Sequence, residues 1–142
     1  MVIDHIGLVV RSLNNGVNQW ENLFGYQKAT DIVINTKQKV RVVFLSKRNS
    51  ITIKLIEPTD KDSPIYDFAK RGGGLHHLCF KCKRIDEQLC KLKQNGARCI
   101  VPPQPGEAFD NHDIAFIYTG NNLNVELIDT DIKKGWGFPN NK

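Results

Sequence analysis

Apolar spacing divides the chain into short strands and two amphipathic helices. The opening VIDHIGLVV reads as a strand over residues 2–10. Leu13, Val17 and Trp20 follow with the four-then-three spacing of one helix face, which predicts a helix from a Ser12 cap to Phe24, stopped by Gly25. Strands are expected over 28–35, 39–47 and 51–57, the last ended by Pro58. LHHLCFKC restores a period of two over 75–82. A helix over 84–95, stopped by Gly96, and strands over 98–102, 112–119 and 123–129 complete the pattern. Ser63 and Pro64 suit the cap and first position of a short helix closed by Gly72–Gly74. PPQPGEAFDN (102–111) reads as a loop, and the tail as irregular.

The pattern repeats. Sliding the sequence by 72 residues lays Asp4–Val10 over His76–Cys82, so that His5 meets His77. The same offset carries Leu13, Val17 and Trp20 onto Ile85, Leu89 and Leu92, and Val43-Phe44-Leu45 onto Ala115-Phe116-Ile117. It also carries Lys54-Leu55-Ile56-Glu57 onto Glu126-Leu127-Ile128-Asp129. The expected fold is therefore α+β, with two tandem βαβββ modules over 1–58 and 75–130. A linker helix and glycine hinge (59–74) joins them, a tail (131–142) follows, and the whole of 1–142 is expected to be one domain.

A formal charge of +5 and a pI near 9.1 tilt partners towards anions. Lys81, Lys83, Lys91 and Lys93 read either as solvation or as an attraction for phosphates. No cluster of aromatic and Arg residues points to nucleic acid. No run approaches the roughly 20 apolar residues of a membrane helix, so a cytoplasmic, unanchored chain is expected. Cys79, Cys82, Cys90 and Cys99 are read as buried thiols rather than disulfides, because Cys79 and Cys82 would point to opposite faces of a strand.

With the order βαβββ-βαβββ, DHIGLVV, GGGLHHLCF and NVELID, residues 1–130 resemble the vicinal oxygen chelate superfamily of glyoxalases, bleomycin-resistance proteins and dioxygenases. GGGLHH is most similar to its methylmalonyl-CoA epimerase-like members. The resemblance implies a cleft with a divalent ion (Mn, Co, Zn, Ni or Fe) on His5, His77 and Glu126. It also implies an isomerase or lyase acting on a small anionic or carbonyl substrate, a CoA thioester among them, through a metal-stabilised enolate. Glu126 would be ligand and acid–base group, Lys54 a catalytic and substrate-binding residue, and His112 a further substrate contact. The family's second base position falls near Thr36 and Lys37, where no carboxylate stands.

Lys54 occupies the fourth ligand position, and a protonated lysine has no lone pair to give an ion. Three readings are open. Lys54 faces a substrate oxygen beside a three-ligand ion, its ammonium replaces the ion and no cofactor is needed, or it leaves the cleft for solvent. The second gives a metal-free binding protein of the bleomycin-resistance kind; an extradiol-type dioxygenase is a further alternative. His76 is expected on the face opposite His77, as a structural residue. Exposed strand edges make a homodimer the expected assembly.

Overall fold

The computed structural model describes residues 1–137. Strand β1 (Val2–Val9) leads into helix α1 (Leu13–Phe24), where Ser12 accepts from the Asn15 N–H at 3.2 Å and Gly25, at φ 71°, ends the helix. β2 (Gln27–Lys28), β3 (Val33–Asn35), β4 (Val40–Ser46) and β5 (Thr52–Pro58) complete the first module. After the linker helix α2 (Tyr66–Lys70), the second module runs β6 (Gly74–Lys81), α3 (Ile85–Gln94), β7 (Arg98–Gly106), a 3-10 turn (Glu107–Phe109), β8 (His112–Tyr118) and β9 (Asn124–Ile128). Among the described residues no helix is long and apolar enough to cross a membrane.

One mixed sheet in the order β2-β4-β5-β1-β6-β9-β8-β7 contains both modules, with β3 pairing on β4. β1 and β6 pair antiparallel at its centre, flanked in parallel by β5 and β9. The repeat is carried into this register. Gly7 pairs with Lys54 as Cys79 pairs with Glu126, and His5 pairs with Cys79 as Gly7 pairs with His77.

Alternation on the terminal strands separates two buried layers. Ile53 and Leu55 pack with Leu13, Val43 and Leu45 beneath α1, while Val125 and Leu127 pack with Ile85 and Leu89 beneath α3. Ile56 and Ile128 face the other way, into a third cluster with Phe44, Phe109 and Ile114. Lys54 and Glu126 alternate with these residues and share that third side.

Four expectations are corrected. The strand over 28–35 is broken after Lys28, because Thr30 Oγ1 takes the Phe44 N–H at 3.0 Å that a continuing ladder would have used. The stretch 102–106 is strand rather than loop: β7 lies at the sheet edge, where prolines need donate no N–H, and its pairing with β8 shifts register twice. The linker helix starts at Tyr66, Ser63 closing a preceding turn through Tyr66 N–H→Ser63 O at 3.1 Å instead of capping the helix. Cys90 is exposed.

The tail is irregular as far as Gly137, yet it is docked: Lys134 donates to the Ala108 carbonyl at 2.9 Å and Gly137 to that of Ala29 at 3.0 Å. The remaining residues, 138–142, lie outside the described chain.

Gly73 has φ 68°, and a Cβ there would stand 2.3 Å from the Val9 carbonyl oxygen. The left-handed backbone alone costs a non-glycine residue about 1–2 kcal/mol, and the clash with β1 adds to it. Gly73→Ala is therefore expected to lower the urea midpoint clearly; an unchanged midpoint would refute the close approach.

Candidate functional site

The four central strands each deliver one polar side chain to the buried third side: Lys54 from β5, His5 from β1, His77 from β6 and Glu126 from β9. None of the four exceeds 7% exposure, and His5 and Glu126 have none. His5 Nε2 stands 3.1 Å from Glu126 Oε1 and 3.3 Å from His77 Nε2, with His77 Nε2 3.6 Å from the same Oε1. Lys54 Nζ lies 3.7 Å from the other oxygen, Oε2, over the rings of Phe44 and Phe109. Lys54 therefore does not leave for solvent, and that reading falls.

Gly7 is what lets the His77 ring lie across β1. A Cβ at residue 7 would stand 2.2 Å from the imidazole.

Outer partners orient the imidazoles. His5 Nδ1 donates to Asp4 Oδ2 at 2.7 Å, and the Lys133 ammonium sits 3.0 Å from both Asp4 oxygens. Burial would raise the Asp4 carboxyl, but His5 and Lys133 together hold it below its ordinary range. His76 Nδ1 lies 2.8 Å from His77 Nδ1, contrary to the expectation that the two rings face apart. The cause is a bulge. In the β1–β6 ladder Gly7 pairs with His77 and Leu8 with Leu75, so His76 is the extra residue and turns out of regular alternation. Asp4 is the extra residue of the other bulge, between Ile3 and His5.

Burial pushes the Glu126 carboxyl up, yet Lys54, His5 and His77 outweigh it and hold it ionised, well below the usual carboxylate range. Burial drives His77 down to about 3 against the pull of Glu126, so its ring is neutral at neutral pH. With Nδ1 turned to Asp4, His5 presents Nε2 to Glu126 Oε1 at 3.1 Å. Neither Glu126 oxygen has a hydrogen-bond partner. The donor atoms of His5, His77 and Glu126 lie within 4.8 Å of one another. Two imidazole nitrogens and a carboxylate at that spacing fit a divalent transition metal or zinc and leave positions for substrate.

The cavity beside Lys54 holds about 40 Å³ and is walled mainly by apolar side chains, with Asn35, Gln38 and His76 as the other polar groups. It adjoins a wider groove of about 180 Å³ that shares Gln38, Pro64, Ile65, His76 and Phe116 and runs out past Ile100. Phe109, on the 3-10 turn, covers the opposite side, its ring stacked near His5. That turn is tied across to the first module by Glu107, whose Oε1 accepts from the Thr36 N–H at 2.8 Å and hydroxyl at 2.6 Å. Glu107 brings a carboxylate from the other module beside Thr36, but it does not line the cavity. His112 does not line the cavity; its Nδ1 bonds the Phe109 carbonyl at 2.8 Å.

The profile described as Glyoxalase/Bleomycin resistance protein/Dioxygenase superfamily matches residues 4–116. The chain belongs to this superfamily. Among its relatives is the uncharacterized protein YqjC of Bacillus subtilis, 34% identical over 116 residues and 81% of each chain. The mitochondrial methylmalonyl-CoA epimerase of Dictyostelium discoideum is 26% identical over 129 residues, 88% of this chain and 76% of that one. A variant of Streptomyces coelicolor methylmalonyl-CoA epimerase, solved with 2-nitronate-propionyl-CoA, superposes with a TM-score of 0.79. Its identity is 25%, over 91% of this chain and 96% of that chain. The superfamily's glyoxalase-like fold is thus the fold of this member, and its relatives include methylmalonyl-CoA epimerases.

Two burial-depressed histidines set a pH dependence in this member. An unfolded His77 takes up a proton as pH falls below 6.5, whereas the folded ring stays neutral down to about 3, and half-buried His76 shifts in the same direction. The unfolded state then binds more protons, so stability is lost as pH falls through this window, by up to about 1.4 kcal/mol per pH unit per group. Urea unfolding of metal-free protein is expected to show the loss between pH 7 and about pH 5, with a shallower slope for His77→Gln. Equal slopes in the two proteins would contradict a neutral buried His77.

Proposed function

We propose that this protein binds a divalent metal on His5, His77 and Glu126 and acts on a small carboxylate-bearing carbonyl compound, moving a proton beside the carbonyl as an isomerase of the epimerase kind. The observation that carries the reading is the convergence of two buried imidazoles on a buried carboxylate whose oxygens have no hydrogen-bond partner. Bound there, the ion supplies Lewis acidity to the carbonyl oxygen.

Charge selects the substrate. A divalent ion beside one carboxylate and one ammonium leaves two positive charges uncompensated in a buried cleft, which favours an anionic substrate over a neutral one. Lys54, held over Phe44 and Phe109 with its ammonium on the cavity side, receives an anionic oxygen of the substrate. Glu126 Oε2, the oxygen turned from the imidazoles, and Lys54 are the groups placed to hold or return a proton. The narrow cavity suits the reacting acyl unit, and the wider groove past Ile65 and Ile100 suits the remainder of an acyl thioester. The epimerases among the relatives, one of them solved with a CoA compound, support a CoA thioester as the first substrate to try.

A second reading is favoured by the Lys54–Glu126 ion pair at 3.7 Å: the ammonium stands in for the ion, and the cleft holds a ligand without converting it.

Calorimetric titration with Zn(II), Co(II) and Mn(II) separates the two. The leading reading expects near one ion per chain, lost in His5→Ala, and hydrogen–deuterium exchange at the α-carbon of methylmalonyl-CoA in D₂O by the loaded protein. No ion in the wild type, with binding gained in Lys54→Gln, would replace it with the second reading.

A further inference from the structure

The bulge that turns His76 towards His77 matches the one that places Asp4 beside His5, and the two pairs occupy equivalent places about the β1–β6 centre. Their chemistry differs. Asp4 is a carboxylate that only accepts, so it fixes the proton of His5 on Nδ1 whatever lies at Nε2. His76 offers an imidazole nitrogen, which accepts or donates according to its tautomer, and the 2.8 Å contact between two Nδ1 atoms needs one proton between them.

The surroundings say which ring supplies that proton. Without an ion, the lone pair on His5 Nε2 is met at 3.3 Å by His77 Nε2, which satisfies it by donating. A neutral His77 then has a bare Nδ1, and His76 must donate to it. With an ion, His77 Nε2 gives its lone pair to the metal and its single proton moves to Nδ1. His76 must then accept, and its own proton moves to Nε2. No proton is gained or lost by the pair.

We propose that His76 is a positioning residue for the metal centre: it accepts the Nδ1 proton of His77 in the ion-loaded protein, and loading reverses the His76–His77 hydrogen bond. This rests on the reading of His5, His77 and Glu126 as an ion site. The consequence reaches the substrate, because the His76 ring lines both the cavity and the groove leading to it. Its Nε2 is an acceptor in the empty centre and an N–H donor in the loaded one, so a substrate oxygen is received there only when the ion is in place.

Long-range ¹H–¹⁵N spectra of ¹⁵N-histidine-labelled wild-type protein, recorded without and with Zn(II), read the tautomer directly. The expected result is a move of the His76 proton from Nδ1 to Nε2 on loading, while His5 keeps its proton on Nδ1. Calorimetry is the second readout. Losing an outer partner typically costs a ligand site about 10- to 100-fold in metal affinity, so His76→Leu is expected to bind Zn(II) weaker by that factor. His76→Gln, whose amide oxygen accepts from Nδ1, is expected to restore most of it. Zinc binding with the His76 proton still on Nδ1, or equal affinity in wild type and His76→Leu, would overturn the inference and leave the metal site standing. Failure of the wild type to bind any ion would overturn both.

Discussion

The burial of one carboxylate governs this molecule. Glu126 has no exposed surface, and an ionised carboxylate there is tolerable only if positive charge or strong donors surround it. Lys54 answers with its charge from β5, and the imidazoles of β1 and β6 gather around the other oxygen, so the four innermost strands meet at one polar centre. The apolar layers beneath α1 and α3 hold the strands in the register that makes this possible. Removing one partner while keeping the charge would leave a buried ion exposed to the full cost of desolvation.

Internal symmetry gives the frame, and departures from it give the chemistry. Lys54 and Glu126 are equivalent positions, and two carboxylates brought together there without an ion would repel each other. Gly7 and Cys79 are likewise equivalent; the missing side chain at residue 7 makes room for the His77 ring, whereas the thiol of Cys79 stays buried beside Asp4 and His5. Asp4 and His76 are the third such pair, a carboxylate beside one imidazole and an imidazole beside the other.

Much of this was legible in the sequence, because a repeat constrains many positions at once. The shift of 72 residues relates the two histidines and sets Lys54 against Glu126, and the order of strands and helices follows from apolar spacing. What escaped depends on contacts that spacing cannot express. A bulge adds one residue to one strand of a pair, so period-two reasoning put His76 on the wrong face. Prolines 102, 103 and 105 read as a loop because composition does not reveal that β7 is an edge. The Glu107–Thr36 bond, the Phe109 cover and the Lys133–Asp4 pair join residues distant in the chain and leave no periodic trace.

That last pair bears on the order in which the molecule assembles. Asp4 and Lys133 are separated by 129 residues, and both are largely withdrawn from water. During synthesis the first module emerges well before its charge partner exists, and β1 cannot seat Asp4 dry until the segment beyond β9 has been made. The charge balance around Asp4 is therefore among the last features to set. A nascent chain stalled after β9 would hold a nearly complete sheet in which Asp4 still lacks its charge partner.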